Sequence, residues 1–219
     1  AAINSATDEH TATPTPANAP SYEAYIQWLC KQDTAAAQRA WQQALAGFTE
    51  PTPLHVAMSS PSTAPVEASS RQPSKTIDER LTPENEITLS EEATAQLKTF
   101  LTTHRLTLNT LLQGVWSIIL SECSGQSDVL FVATVSCRQA DLAGIESVVG
   151  LLINVLPVRV QVSEQKSLID WLQALQTEQA KISAYAYASP TQIQSWSDCS
   201  ERLFNSLLVI ENYPIQNKT

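Results

Sequence analysis

Along residues 147–160 the apolar positions follow one another almost without a break, interrupted only by Gly150, Asn154, Pro157 and Arg159. Such a run predicts a strand buried on both faces rather than one that alternates between core and solvent. Gly150 at its entry allows a positive φ or a close backbone approach. Pro157 removes a ladder donor, which predicts an edge, a bulge or a departure from the sheet. Residues 128–135 form a second apolar, β-branched run between polar turns, and residues 203–210 a third. A shorter segment, 86–90, alternates and reads as a further strand.

Between these runs the spacing turns helical. Behind Ser21 as N-cap, Tyr22, Tyr25, Ile26 and Leu29 fall at i, i+3, i+4 and i+7, with Trp28 beside them. From Thr34 to Leu45 the pattern groups Ala37, Trp41, Ala44 and Leu45 and stops at Gly47, so the two helices predict an αα-hairpin. Ser90 caps a helix with Glu91 and Glu92 in its first turn and a buried stripe of Ala93, Leu97, Phe100 and Leu101. The strongest period follows Thr107: Leu108, Leu111, Leu112, Val115, Trp116, Ile119 and Leu120 predict one buried face, ended by Gly125. Ser167 with Asp170 starts a long helix carrying Leu168, Trp171, Leu172, Leu175 and Ile182, which Pro190 is expected to end, and residues 191–196 make a shorter one. Helices alternating with widely separated strands give a mixed α/β layer as the fold class.

Composition sets the outer bounds. Residues 1–20, with Pro14, Pro16 and Pro20 among small polar residues, read as a flexible linker or tail, and residues 51–83 as an exposed excursion rich in Pro, Ser and Thr. The 219 residues, 43% of them hydrophobic, are enough for one core or two small ones. A net charge of −9 without a Lys/Arg cluster removes nucleic acid and anionic membranes as expected partners. No run approaches the roughly 18 apolar residues of a bilayer span, and the opening residues lack a signal sequence. Cys30, Cys123, Cys137 and Cys199 lie far apart, against a metal site or a redox pair, so free thiols in a reducing cytoplasm are expected. The chain begins without Met, as a piece of something longer would.

Candidate chemistry is sparse. His10, His55 and His104 stand alone and read as solvated residues, and the common hydrolase, nucleotide and zinc motifs are missing from the sequence. Asn154 is the odd residue in its apolar run, because an unpaired buried amide costs roughly 1–3 kcal/mol. It is either a core amide bonded to nearby backbone or an amide lining a cavity through which a substrate passes. The polar loop 136–146, with Arg138, Asp141 and Gly144, is expected to face a cavity.

Five stretches together resemble the successive motifs of nonribosomal peptide synthetase condensation domains. They are Tyr22-Glu-Ala-Tyr-Ile-Gln-Trp28, Thr107-Leu-Asn-Thr-Leu-Leu-Gln-Gly-Val-Trp116, Ser124-Gly-Gln-Ser-Asp128, Val149-Gly-Leu-Leu-Ile-Asn154 with Leu156-Pro-Val-Arg159, and Leu203-Phe-Asn-Ser-Leu-Leu-Val-Ile-Glu-Asn-Tyr-Pro214. The resemblance implies a chloramphenicol-acetyltransferase-like α/β sandwich, of which residues 21–219 are one incomplete, C-terminal subdomain with a mixed sheet flanked by helices. It places Ser136, Arg138, Gly150 and Asn154 at a substrate tunnel and so favours the second reading of Asn154, although Cys137 stands where the family usually has Gly. The family's catalytic signature, two adjacent histidines followed by three residues, Asp and Gly, has no counterpart in this sequence. Also implied are peptidyl carrier domains that bring substrates on phosphopantetheine, an adenylation domain, and an N-terminal condensation subdomain as partners, with no cofactor held by this chain and no metal. Two expectations follow: part of an amide-forming enzyme that is inactive alone, or a non-catalytic module that binds a carrier protein or a neighbouring synthetase domain.

Overall fold

In a computed structural model, residues 21–54 and 86–211 are described, with the side chain of Gln139 excepted. The expected tail, most of the 51–83 excursion, His10, His55 and the end of the last motif lie outside them. Three strands form one mixed sheet in the order β2-β1-β3: β1 (Asp128–Ser136) pairs antiparallel with β2 (Ile153–Gln161) and parallel with β3 (Leu207–Leu208). A partial mixed sheet flanked by helices is the class the sequence predicts.

The helices start where the polar caps stand. Ser21, Asp33, Ser90, Thr107, Ser167 and Ser189 each accept a backbone N–H at the head of α1 (Tyr22–Cys30), α2 (Thr34–Leu45), α3 (Glu91–His104), α4 (Leu108–Ser124), α5 (Leu168–Ser183) and α6 (Pro190–Trp196). Gly47 and Gly125, at φ +74° and +69°, turn the chain out of α2 and α4 as expected. On one face of the sheet, Val129, Phe131, Ala133, Val158 and Val160 bury Trp171, Leu172 and Leu175 of α5 with Leu101 and Leu120. A second cluster joins Leu130 and Leu156 to Trp41 and Leu45 of α2 and Ile193 of α6. A third cluster joins Tyr25 of α1 to Cys137, Ile145, Val148 and Leu152.

Several expectations are corrected. The strand forecast for residues 147–160 begins only at Ile153, because β1 ends at Ser136 and leaves the preceding residues no ladder beyond the bond from Cys137 N to Leu152 O (2.8 Å). Nor is it buried on both faces, since Ile153 is half exposed. Pro157 sits opposite Val132 in β2, an edge strand of this sheet, where its missing N–H is harmless. Residues 86–90 form no strand, and of residues 203–210 only two are in a ladder. Pro190 does not end α5: α5 stops at Ser183, and Pro190 opens α6 at the position where a missing N–H is tolerated. The forecast αα-hairpin separates, with α1 in the third cluster and α2 in the second. The forecast stripe of α4 is borne out only in part: Leu120 is buried and Leu111 and Trp116 pack partly against the core, but Thr110, Gln113, Gly114 and Ser117 fill the rest of the buried face, whereas Leu108, Val115 and Ile119 are exposed.

Candidate functional site

All four residues singled out by the sequence gather at one end of the β1–β2 pair. Ser136 closes β1 opposite Ile153, and Asn154 stands opposite Val135. Arg138 follows in a single 3-10 turn (Cys137–Gln139) whose cap is Ser136, its Oγ accepting from Arg138 N at 3.3 Å. Gly150 lies just before β2.

Three of the four bond the main chain, and the fourth, Gly150, makes room for a ring. Half-buried Asn154 donates through Nδ2 to the carbonyls of Ala186 (2.7 Å) and Ala188 (2.8 Å), and its Oδ1 accepts from Val155 N at 2.9 Å. One amide thus fastens the start of β2 to the 184–189 connection between α5 and α6. These bonds match the core-amide reading in kind, although the partners lie 32 and 34 residues away rather than next to it. Nη1 of Arg138 donates to the carbonyls of Ile145 (3.1 Å), Glu146 (3.0 Å) and Val148 (3.1 Å), so one cation gathers three carbonyls of a short turn, that of Ile145 also accepting from Val148 N at 3.2 Å. Gly150 resolves its two options in favour of close approach: a Cβ there would lie 2.2 Å from Cδ2 of Tyr22. The Tyr22 hydroxyl donates to the neighbouring Leu151 carbonyl at 3.3 Å.

What this scaffold presents outward is apolar. From Val148 to Ile153 the side chains alternate, with Val148 and Leu152 buried and Val149, Leu151 and Ile153 exposed at 82%, 71% and 52%. A nearly continuous apolar run conceals this ridge in the sequence; the signal that could reveal it is Gly150 between Val149 and Leu151, where the Tyr22 ring leaves no room for a Cβ. An aromatic chain supports the ridge from behind. Tyr25 stacks on Trp28 (5.9 Å between centroids), Trp28 meets the edge of Tyr187 (6.2 Å), and the Tyr187 hydroxyl donates to Asp33 O at 2.9 Å.

The electrostatics hold groups neutral or paired rather than reactive. Burial, then a hydrogen bond with Cys137, pushes the Tyr25 hydroxyl well above its ordinary value of 10.0. Burial also pushes the Cys137 thiol up, so it stays protonated and is a poor nucleophile. Arg159 donates from Nε and Nη2 to Asp128 across the strand pair (3.0 and 2.7 Å) and from Nη1 to Ala46 O (2.8 Å), joining β2 to the end of α2. Among the described residues no three His, Cys, Asp or Glu side chains come together as a metal site, and His104 ends α3 against Phe100. A groove of about 670 Å³ runs between α2, β2 and α5, past Ala44, Pro157, Arg159, Trp171 and Tyr185, and none of the four candidate residues lines it.

Comparison with known proteins adds the family. A profile of the family described as condensation domain matches residues 3–219. One of the linear gramicidin synthase polypeptides of Brevibacillus parabrevis is 42% identical over 197 residues, which cover 89% of this chain and 4% of that protein. Chondramide synthase cmdD of Chondromyces crocatus is 40% identical over 205 residues, 93% of this chain and 5% of its own length. The chain therefore spans a small fraction of the curated relatives it matches. Among solved structures, the crystal structure of holo T3CT is similar at a TM-score of 0.62 and 18% identity, over 93% of this chain and 41% of that one. The first condensation domain of the calcium-dependent antibiotic synthetase in complex with substrate analogue 2a is similar at 0.61 and 14%, over 88% and 40%. At these identities the likeness is one of fold.

Proposed function

From its membership of the nonribosomal peptide synthetase condensation-domain family, we propose that this chain supplies tunnel wall and acceptor side to a domain that forms amide bonds between carrier-bound acyl or aminoacyl thioesters. The observation that carries this reading is the ridge of Val149, Leu151 and Ile153, exposed and apolar at the motif where the family resemblance places the tunnel. Asn154, Arg138, Ser136 and Gly150 are positioning residues in it. Asn154 fixes the ridge to the 184–189 connection, Arg138 and Ser136 shape the approach, and Gly150 admits the Tyr22 ring that braces the ridge. None of these contacts reserves a group for proton transfer, in keeping with a histidine signature that this sequence does not contain.

The partners in this reading are peptidyl carrier domains bearing phosphopantetheine, an adenylation domain, and the N-terminal condensation subdomain with the histidine pair. A cytoplasmic setting belongs to it, supported by four cysteines that are all free. No helix among the described residues is long and apolar enough to cross a membrane.

The test is an amide-formation assay with two aminoacyl-loaded carrier proteins. The 219-residue chain alone should give no product above the no-protein background. In a complete condensation domain carrying these residues, Leu151→Asp should cut product formation by about tenfold or more while melting is retained, because a charge in an apolar wall repels and misplaces the acyl chain. Product from the isolated chain, or a Leu151→Asp domain of full activity, would contradict the proposal.

A further inference from the structure

Helix α4 carries, besides the residues it buries, a second apolar line that the described residues leave exposed. Leu108, Leu112, Val115 and Ile119 recur at i, i+4, i+7 and i+11, a single line along the helix. Leu108, Val115 and Ile119 are 44%, 46% and 44% exposed, and Ile118 beside them 38%. The opposite side is small or polar for a reason of its own: a Cβ on Gly114 would lie 2.4 Å from Cδ2 of Leu172 and 3.1 Å from Trp171, so α4 can approach α5 only there. A line of aliphatic side chains this long on one helix face marks an interaction surface.

The sheet is open on the same flank. Trp116, between the stripe and the buried face, donates from Nε1 to Ser206 Oγ at 3.3 Å, immediately before β3. That strand is two residues long, and Leu207 and Val209 are 53% and 51% exposed. An exposed strand edge and an exposed apolar stripe thus adjoin. The chain covers only 40–41% of the condensation-domain chain and the T3CT chain whose fold it shares, so more than half of each of those chains has no counterpart in it.

We propose that the outer stripe of α4, together with the β3 edge, is the seam on which the remainder of a condensation domain closes, laying an apolar element over Leu108, Leu112, Val115 and Ile119. This rests on the reading of the chain as part of a whole condensation domain. The stripe is then core, and the helix is amphipathic in the ordinary sense once its partner is present.

The test places Val115→Asp in two settings, the 219-residue chain and the same residues within a complete condensation domain, and compares melting. In the free chain Tm should move by less than about 2 °C, as for an exposed site. In the complete domain it should fall by about 5 °C or more, since an unpaired carboxylate would be buried there. A complete domain that no longer folds, beside a free chain that does, supports the proposal equally. Small, equal shifts in both would overturn it. So would a free parent chain that elutes as a dimer and a Val115→Asp chain that elutes as a monomer, with the complete domain unmoved, since a second copy would then be the occupant. Melting reports closure and not catalysis, so an inactive domain that melts normally with the seam intact would count against the proposed function alone.

Discussion

Helices α4 and α5 lie on the same face of the same sheet, yet they place their apolar residues differently. In α5 most of the forecast stripe is buried: Trp171, Leu172 and Leu175 enter the core, with Ile182 partly covered and Leu168 left exposed, and Trp171 also donates from Nε1 to Gln161 O at 2.8 Å. In α4 Gly114 and Ser117 enter and Val115 and Ile119 stay out. The difference teaches that a hydrophobic stripe alone does not name the side a helix turns to its neighbour. Two faces of α4 compete, and close packing against α5 takes the one that glycine makes possible.

That contrast can be broken or sharpened by experiment. The largest effect is expected from Trp171→Ala in the 219-residue chain, which should lower unfolding free energy by about 3–5 kcal/mol, against under about 0.5 kcal/mol for Val115→Ala in the same chain. Equal losses in urea titrations would erase the distinction between the helices. Next comes Asn154→Ala, which leaves the Ala186 and Ala188 carbonyls without their donor and should cost about 1–3 kcal/mol. Hydrogen exchange should speed up selectively in residues 184–189; unchanged protection there would remove its role as a fastener. A gain is expected at Gln113. Its buried Oε1 has no partner among the described residues, so Gln113→Leu should raise stability by about 1 kcal/mol, whereas a loss would reveal an acceptor role.

The smallest effect concerns pH. Tyr25 in the folded chain keeps its proton above the ordinary value of 10.0, while the unfolded chain releases it there, so above that pH the unfolded state binds fewer protons than the native one and stability must fall as pH rises. Its contribution is complete below pH 10.0 and declines above it. Tyr25→Phe should flatten that alkaline decline in Tm; an unaltered slope would place the titration elsewhere.

Much of the architecture is legible in the residues because the signals are local. Ser21, Ser90, Thr107 and Ser167 cap the helices they precede, and Gly47 and Gly125 turn the chain where helical period ends. What escapes is set by partners distant in sequence. The 147–160 run reads as one strand, but the Arg138 guanidinium gathers the carbonyls of Ile145, Glu146 and Val148 into a turn from seven to ten residues away. Pro190 marks a beginning instead of an end, because Ser189 and Gln192 complete a capping box around it. At the candidate site the identities of Asn154 and Gly150 are readable as anomalies, whereas what they touch, a connection more than 30 residues downstream and a ring 128 residues upstream, is not.

The most direct measurement is hydroxyl-radical footprinting of individual side chains in the 219-residue chain and in a complete condensation domain containing it. Leu108, Leu112, Val115 and Ile119 should be oxidised readily in the former and protected in the latter, while Val149 and Leu151, on the proposed tunnel wall, should remain reactive in both. An α4 stripe that stays equally reactive in the complete domain, or a ridge sealed from solvent within it, would contradict the account.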